Sequence, residues 1–221
     1  MIDYKRITLL CGHYGSGKTN IAVNMAFDIH KANENVTIAD LDIVNPYFRT
    51  KDSQGDFEDM GIRLICSEYA NSNVDIPALP SDIYTITTDK QRKVIIDVGG
   101  DDRGALALGR ISADIVKENN YHMLMVINCF RPLTRDAEST IEVMREIEAA
   151  CRISFTGIVN NSNLGDATTP EDVLFSLDYA KKVSELTKLP IVCTAVKEPL
   201  FKSLEGKVEN LFPLRLQNKI Y

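Results

Sequence analysis

Short runs of apolar residues alternate along this chain with longer stretches in which apolar positions recur every third or fourth residue. The runs at 7–11, 36–41, 62–66, 93–98, 123–127, 155–159 and 190–193 are nearly free of charge and rich in Val and Ile. They read as strands buried on both faces. Between the first two, Ile21, Met25, Ala26, Ile29 and Ala32 keep helical spacing. A charged amphipathic helix over 134–151 turns Ile141, Met144, Ile147 and Ala150 inward. Further helices are predicted over 104–118 and from Pro170, which suits a first helical turn, to about residue 186. Short ones fall near 57–60 and 81–89. Alternating strands and helices predict an α/β fold of three layers, a mostly parallel central sheet with helices on both faces. Residues 42–61 and 67–81 show no sustained period and read as mostly loop. The segment 208–216 has apolar spacing broken by Pro213 and is expected to pack onto the domain.

Size and composition narrow the class. A chain of 221 residues suits a single domain over 1–221, and 44% hydrophobic residues suffice for a core without disulfide or metal staples. The net charge of −6 argues against direct nucleic-acid binding as the main role. No apolar stretch reaches the length of a membrane span. The five cysteines are scattered, with no C-x-C or C-x-x-C pair, and read as reduced thiols. With no leader pattern before the first strand, a cytoplasmic location is expected.

The chemistry is concentrated after the first strand. Gly12-His13-Tyr14-Gly15-Ser16-Gly17-Lys18-Thr19 fits G-x-x-x-x-G-K-[ST], the phosphate-binding loop. Its glycines let backbone N–H groups turn around phosphate oxygens, and the helix that follows offers its N-terminal dipole to an anion. Lys18 brings a charge to the outer phosphates, and the Thr19 hydroxyl can ligate Mg²⁺. Residues Gly12 to Asn20 are therefore candidate nucleotide-binding positions.

Other candidates sit at strand ends, where open α/β sheets place their ligands. Asp97, closing the 93–98 run, can hold Mg²⁺ through water, and Gly100 can offer its N–H to a γ-phosphate. Asp40 and Asp42 lie on one side of their strand. A carboxylate there could orient an attacking water or order a metal-bound water, or it could cap the turn before Pro46. Asn160 and Asn161 begin an Asn-Asn-Ser-Asn stretch where a guanine-specific protein would show N-K-x-D; they are candidate base contacts or simply a turn. Arg103, Arg110, Arg131 and Arg135 follow strand ends and could meet an anionic substrate or remain solvated.

Gly15-Ser16-Gly17-Lys18-Thr19, Asp40-Leu41-Asp42 and Asp97-Val98-Gly99-Gly100, in this order and spacing, resemble the MinD/ParA/CobQ/CobB nucleotide-binding family. That family belongs to the signal-recognition-particle, MinD and BioD branch of proteins with the P-loop NTPase fold. The resemblance implies ATP and Mg²⁺ as cofactors and a slow ATPase that switches a protein partner, with a homodimer as one arrangement. It also implies that Lys18 contacts phosphate, Thr19 binds Mg²⁺, Asp42 acts with Lys18 in catalysis by positioning water beside the metal, and Asp97 supports the metal. Many members carry a lysine where this chain has His13 and a glycine where it has Tyr14. A second reading within the branch is an ATP-dependent enzyme on a small-molecule substrate, similar to dethiobiotin synthetase or the cobyrinate amidases, with 45–51 and 67–90 lining the pocket. A third is a nonhydrolysing binding module.

Overall fold

Along β1 (Ile7–Cys11), Ile7, Leu9 and Cys11 enter one apolar cluster while Leu10 enters another. The two-residue period of a strand makes this split, and it needs apolar residues at every position when both faces are covered. The same division recurs in β4 (Lys93–Asp97) and β5 (Tyr121–Ile127), where Ile95, Leu124 and Val126 face the second cluster and their neighbours the first. The structure is a computed structural model that describes residues 2–41, 54–66, 81–100, 104 and 108–216.

The remaining strands are β2 (Val36–Asp40), β3 (Arg63–Ile65), β6 (Gly157–Asn160), β7 (Ile191–Lys197) and β8 (Leu211–Leu214). They form one sheet in the order β3-β2-β4-β1-β5-β6-β7-β8, with every pairing parallel. The chain leaves β1 in one direction for β2 and later returns past it to β5. This reversal is a switch point, and the strand ends beside it face a shared crevice.

Helices cover both faces. The second cluster is closed by α1 (Lys18–Lys31) and by Phe57 of α2 (Gln54–Met60), whose ring is wholly buried and stands 5.6 Å from that of Phe27. A 3-10 turn (Ser81–Tyr84) leads into the short α3 (Thr85–Thr88). The other face is closed by Ile86 of that helix, by α4 (Ser112–Glu118), α5 (Ala137–Cys151) and α6 (Pro170–Thr187). Side chains start the last two: Asp136 Oδ1 accepts from Ser139 N–H at 2.8 Å, and Thr169 and Asp172 make a reciprocal capping box ahead of Pro170. The last helix is α7 (Glu198–Leu204).

The architecture is the one the apolar pattern predicts, with local differences. The helix expected over 104–118 is interrupted, because residues 109–111 form a turn before α4. In α5 the face against the core carries Val143 with Met144, Ile147 and Ala150, and Ile141 is half-exposed. The 190–193 run is longer than expected and is not the last strand. Residues 211–214 add β8 at the sheet edge, where Pro213 is exposed and its missing N–H costs no central ladder bond. Val208, Phe212 and Leu214 are buried there, so the 208–216 segment packs onto the domain, with 211–214 as its strand.

Candidate functional site

The loop between β1 and α1 lies at the crevice. Gly17 stands at φ 88, in the left-handed region, and caps α1 without a side-chain hydrogen bond. No acidic residue occupies the first turn, and the first helical N–H to find a carbonyl is that of Ile21, which donates to Gly17 O at 3.3 Å. The N–H groups of Lys18, Thr19 and Asn20 precede it. A first turn with no acidic residue of its own and no side-chain cap leaves these N–H groups to an anion. His30 and Lys31 balance the other end of α1.

Lys18 and Thr19 are both buried. Lys18 Nζ has a 3.5 Å contact with His13 O, a weak use of a buried ammonium. Thr19 Oγ1 donates to Asp97 Oδ2 at 2.6 Å, tying the helix start to the end of β4, where Asp97 is wholly buried. Asp40 stands beside Asp97 in the register of β2 and β4 and is also buried. Gly100 approaches the loop so closely that a Cβ on it would lie 2.7 Å from Tyr14 N and 3.1 Å from Lys18 Nζ. The Asp97–Gly100 strand end and the phosphate loop thus form opposite walls of one cradle.

Thr19 and Asp97 give an ion two protein oxygens. That small hard-oxygen set fits Mg²⁺, which keeps water and phosphate among its ligands, better than an ion needing a full protein cage. Among the described residues, no cluster of three or more His, Cys, Asp or Glu side chains forms such a cage. Asp42 lies outside the described residues, as do Arg103 and the segments 45–51 and 67–80.

The other sequence candidates divide. His13 turns its ring towards Tyr14 O, with Nδ1 at 3.0 Å, and Tyr14 is half-exposed. The Ser16 hydroxyl is buried beneath the loop with no hydrogen-bond partner among the described residues. Asn161 Nδ2 donates to Ser16 O at 2.7 Å, so this side chain braces the phosphate loop from β6. Asn160 is wholly buried, donating to Ser176 Oγ and accepting from Ser162 N–H and Oγ–H. Its polar atoms shape the loop after β6. Arg110 is exposed, and Arg135 makes an exposed ion pair with Asp136. Of the three described arginines, Arg131 alone borders the cavity at the loop.

That cavity, of about 280 Å³, runs from Lys18, Thr19 and Asn20 past Asn161 to an apolar wall that includes Val196 and Leu200. A polar end at the helix start and an apolar end between loops suit a phosphate chain and a flat base. Its wall also carries an ion pair, Lys197 Nζ to Asp166 Oδ1 at 2.6 Å. A larger recess of about 510 Å³ lies against the second half of α1 and β8 and includes no phosphate-loop residue. Composition did not single out Asn128, Asp166 or Lys197. Asn128 is wholly buried after β5 and bonds the loop after β6 through Asn163.

Burial pushes the Cys11 thiol, directly before the loop, well above its ordinary range, and pushes Cys193 up to about 12. Neither is poised as a nucleophile. None of the five cysteines forms a disulfide. No helix among the described residues is long and apolar enough to cross a membrane.

Comparison with known proteins agrees with this geometry. The FtsY cell division protein of Thermotoga maritima superposes with a TM-score of 0.56 at 18% identity, over 86% of this chain and 61% of that one. FtsY of Mycoplasma mycoides gives 0.52 at 19% identity, over 86% of this chain and 60% of that one. The 54 kDa signal recognition particle protein of Aeropyrum pernix, solved with GDP, gives 0.52 at 17% identity, over 85% and 40%. The chain therefore spans less than two thirds of each of these proteins, and the likeness is one of fold. No curated protein sequence matches the chain. The profile of the CobQ/CobB/MinD/ParA nucleotide binding domain matches residues 7–171. The chain belongs to that family, and is a P-loop nucleotide-binding protein of the signal-recognition-particle, MinD and BioD branch.

Proposed function

We propose that the protein binds ATP with Mg²⁺ and hydrolyses it slowly, using the bound nucleotide to control a protein partner in the cytoplasm. The observation that carries this reading is the convergence of an uncapped helix start and the buried Lys18 and Thr19 on one cavity, with Thr19 tied to the buried Asp97 behind it. In it the loop N–H groups from Gly12 to Asn20 and Lys18 hold the phosphates, and Thr19 and Asp97 hold the ion. Bound there, Mg²⁺ neutralises charge on the phosphate oxygens. Gly100 offers its N–H to the terminal phosphate, and Asp42 orients the attacking water. Cysteines without disulfide bonds fit a reducing compartment.

The wall chemistry supports ATP over GTP. Reading guanine needs a carboxylate free to accept from its N1–H and amino group. The place of the N-K-x-D aspartate is taken by Asn163, whose amide is not such a carboxylate. Asn161, already at the loop, is the nearer of the two asparagines to serve the base.

Phosphate release from ATP and from GTP, each with Mg²⁺, tests this reading. Preferential ATP turnover supports it, and preferential GTP turnover overturns the base assignment. ADP release accelerated by a protein partner supports the switch; acceleration by a small carboxylate substrate supports the ligase reading instead.

A further inference from the structure

The loop after β5 holds an arginine over the phosphate loop, and the loop is built to keep it there. Asn128 Oδ1 accepts from Phe130 N–H at 3.0 Å and from Asn163 N–H at 3.2 Å, while Asn128 Nδ2 donates to Asn163 O at 3.2 Å. Arg131 N–H donates to Asn128 O at 3.1 Å, and Thr134 closes the turn, its N–H on Arg131 O and its hydroxyl on Asn128 O at 2.7 Å. Asn128 and Thr134 are wholly buried. Pro132 favours the extended backbone that Arg131 adopts, at φ −108 and ψ 140. The side chain leaves a rigid turn.

Arg131 Nε donates to Gly15 O at 3.0 Å, which uses one of the five guanidinium donors. No carboxylate among the described residues pairs with it, and it lines the cavity with Lys18 and Thr19. A guanidinium without a carboxylate, fixed beside an uncapped helix start, adds positive potential where a phosphate chain would lie. Its planar fork suits phosphate oxygens.

We propose that Arg131 is an intrachain cation for the bound nucleotide, contacting phosphate oxygens and supplying within one chain the charge that a lysine at position 13 would bring. His13 itself is turned onto Tyr14 O. The proposal rests on the reading of the cavity as a nucleotide site.

The test is the affinity for ATP and for GTP, each with Mg²⁺, of wild type, Lys18→Ala, Arg131→Ala, Arg131→Gln and Arg131→Lys, with melting curves of the unliganded proteins. Glutamine can keep the bond to Gly15 O without charge, and lysine keeps the charge. Arg131→Ala and Arg131→Gln are expected to weaken binding about tenfold or more, while Arg131→Lys, which keeps the charge without the fork, loses clearly less than either. The salt dependence of binding should fall in the two uncharged variants, and the unliganded melting temperatures should stay together. Wild-type affinity in Arg131→Ala, or rescue by glutamine as good as by lysine, overturns the proposal and leaves Arg131 a brace for the loop. If wild type binds neither nucleotide, the nucleotide-site reading itself fails. Loss in Lys18→Ala alone fails only the assignment of Arg131.

Discussion

The Thr19 hydroxyl donates to Asp97 Oδ2 at 2.6 Å, across 78 residues of sequence, inside a site where Asp97 has no solvent exposure. The parallel pairing of β1 with β4, Leu10 opposite Asp97, makes this contact possible. If the pair holds an ion, Asp97→Asn keeps an acceptor for Thr19 but loses the charge. The expected result is a fall of about ten- to a hundredfold in Mg²⁺ affinity of the nucleotide complex, with little change in unfolding. Titration of Mg²⁺ into the nucleotide-bound protein checks it, and an unchanged Mg²⁺ dependence refutes the assignment.

Gly100 is fixed by the loop it faces. A Cβ there would meet backbone, Tyr14 N at 2.7 Å and Tyr14 Cα at 3.0 Å, which cannot swing aside as a long side chain would. Gly100→Ala should therefore cost about 1–3 kcal/mol by forcing the two walls apart. It should also weaken triphosphate binding more than diphosphate binding. Urea unfolding together with ATP and ADP titrations checks both; equal losses for the two nucleotides would place Gly100 away from the terminal phosphate.

How much of this was legible in the sequence depended on distance along the chain. The strand, glycine loop and helix from Ile7 to Lys31 are local, and their residues carry the pattern directly. Asp97 and Gly100 were legible because a polar residue closing an apolar run marks a strand end. The place of Arg131 depends on β5 lying beside β1, a contact spanning 116 residues that no local period encodes. Its strand-end position gave a signal shared with Arg110 and Arg135, which lie elsewhere. The edge strand β8 was hidden because Leu211, Pro213 and Leu214 fit no clean alternation. Phe212 and Leu214 gain their burial from β7 and α1, which are distant in sequence.

Thr8 offers a stability test away from the chemistry. Its hydroxyl is buried in β1 with no hydrogen-bond partner among the described residues. Thr8→Val keeps the shape and removes the unsatisfied group, so it should stabilise the protein by about 1 kcal/mol. The urea midpoint would rise at unchanged slope. A fall would mean that the hydroxyl is satisfied, for instance by a buried water.

At the far end of the sheet, Arg6 and Lys90 hold Glu118, and hydrogen bonding from Arg6 lowers its carboxyl pKa below the ordinary value. The folded state then binds this proton less readily than the unfolded chain does. The stability it contributes is complete above the unfolded value of about 4.3 and is lost as pH falls through the lower folded value. Glu118→Gln should remove that part of the acid dependence. It should also cost about 1–3 kcal/mol near neutral pH by leaving Arg6, which also donates to Asp89 O and Ile86 O, without its partly buried counter-charge. Denaturant unfolding of both proteins between pH 3 and 7, on the order of one unit per step, checks the sign.

The most direct measurement is a calorimetric titration of ATP with Mg²⁺ into wild type and Lys18→Ala. Lys18 is a buried ammonium whose 3.5 Å contact with His13 O is weak, so a phosphate is the partner its position calls for. Saturable binding by wild type is expected, with a loss of about ten- to a hundredfold in the variant and the fold retained. Equal binding by both proteins, or binding by neither of any nucleoside triphosphate, would overturn the assignment of this loop to a nucleotide.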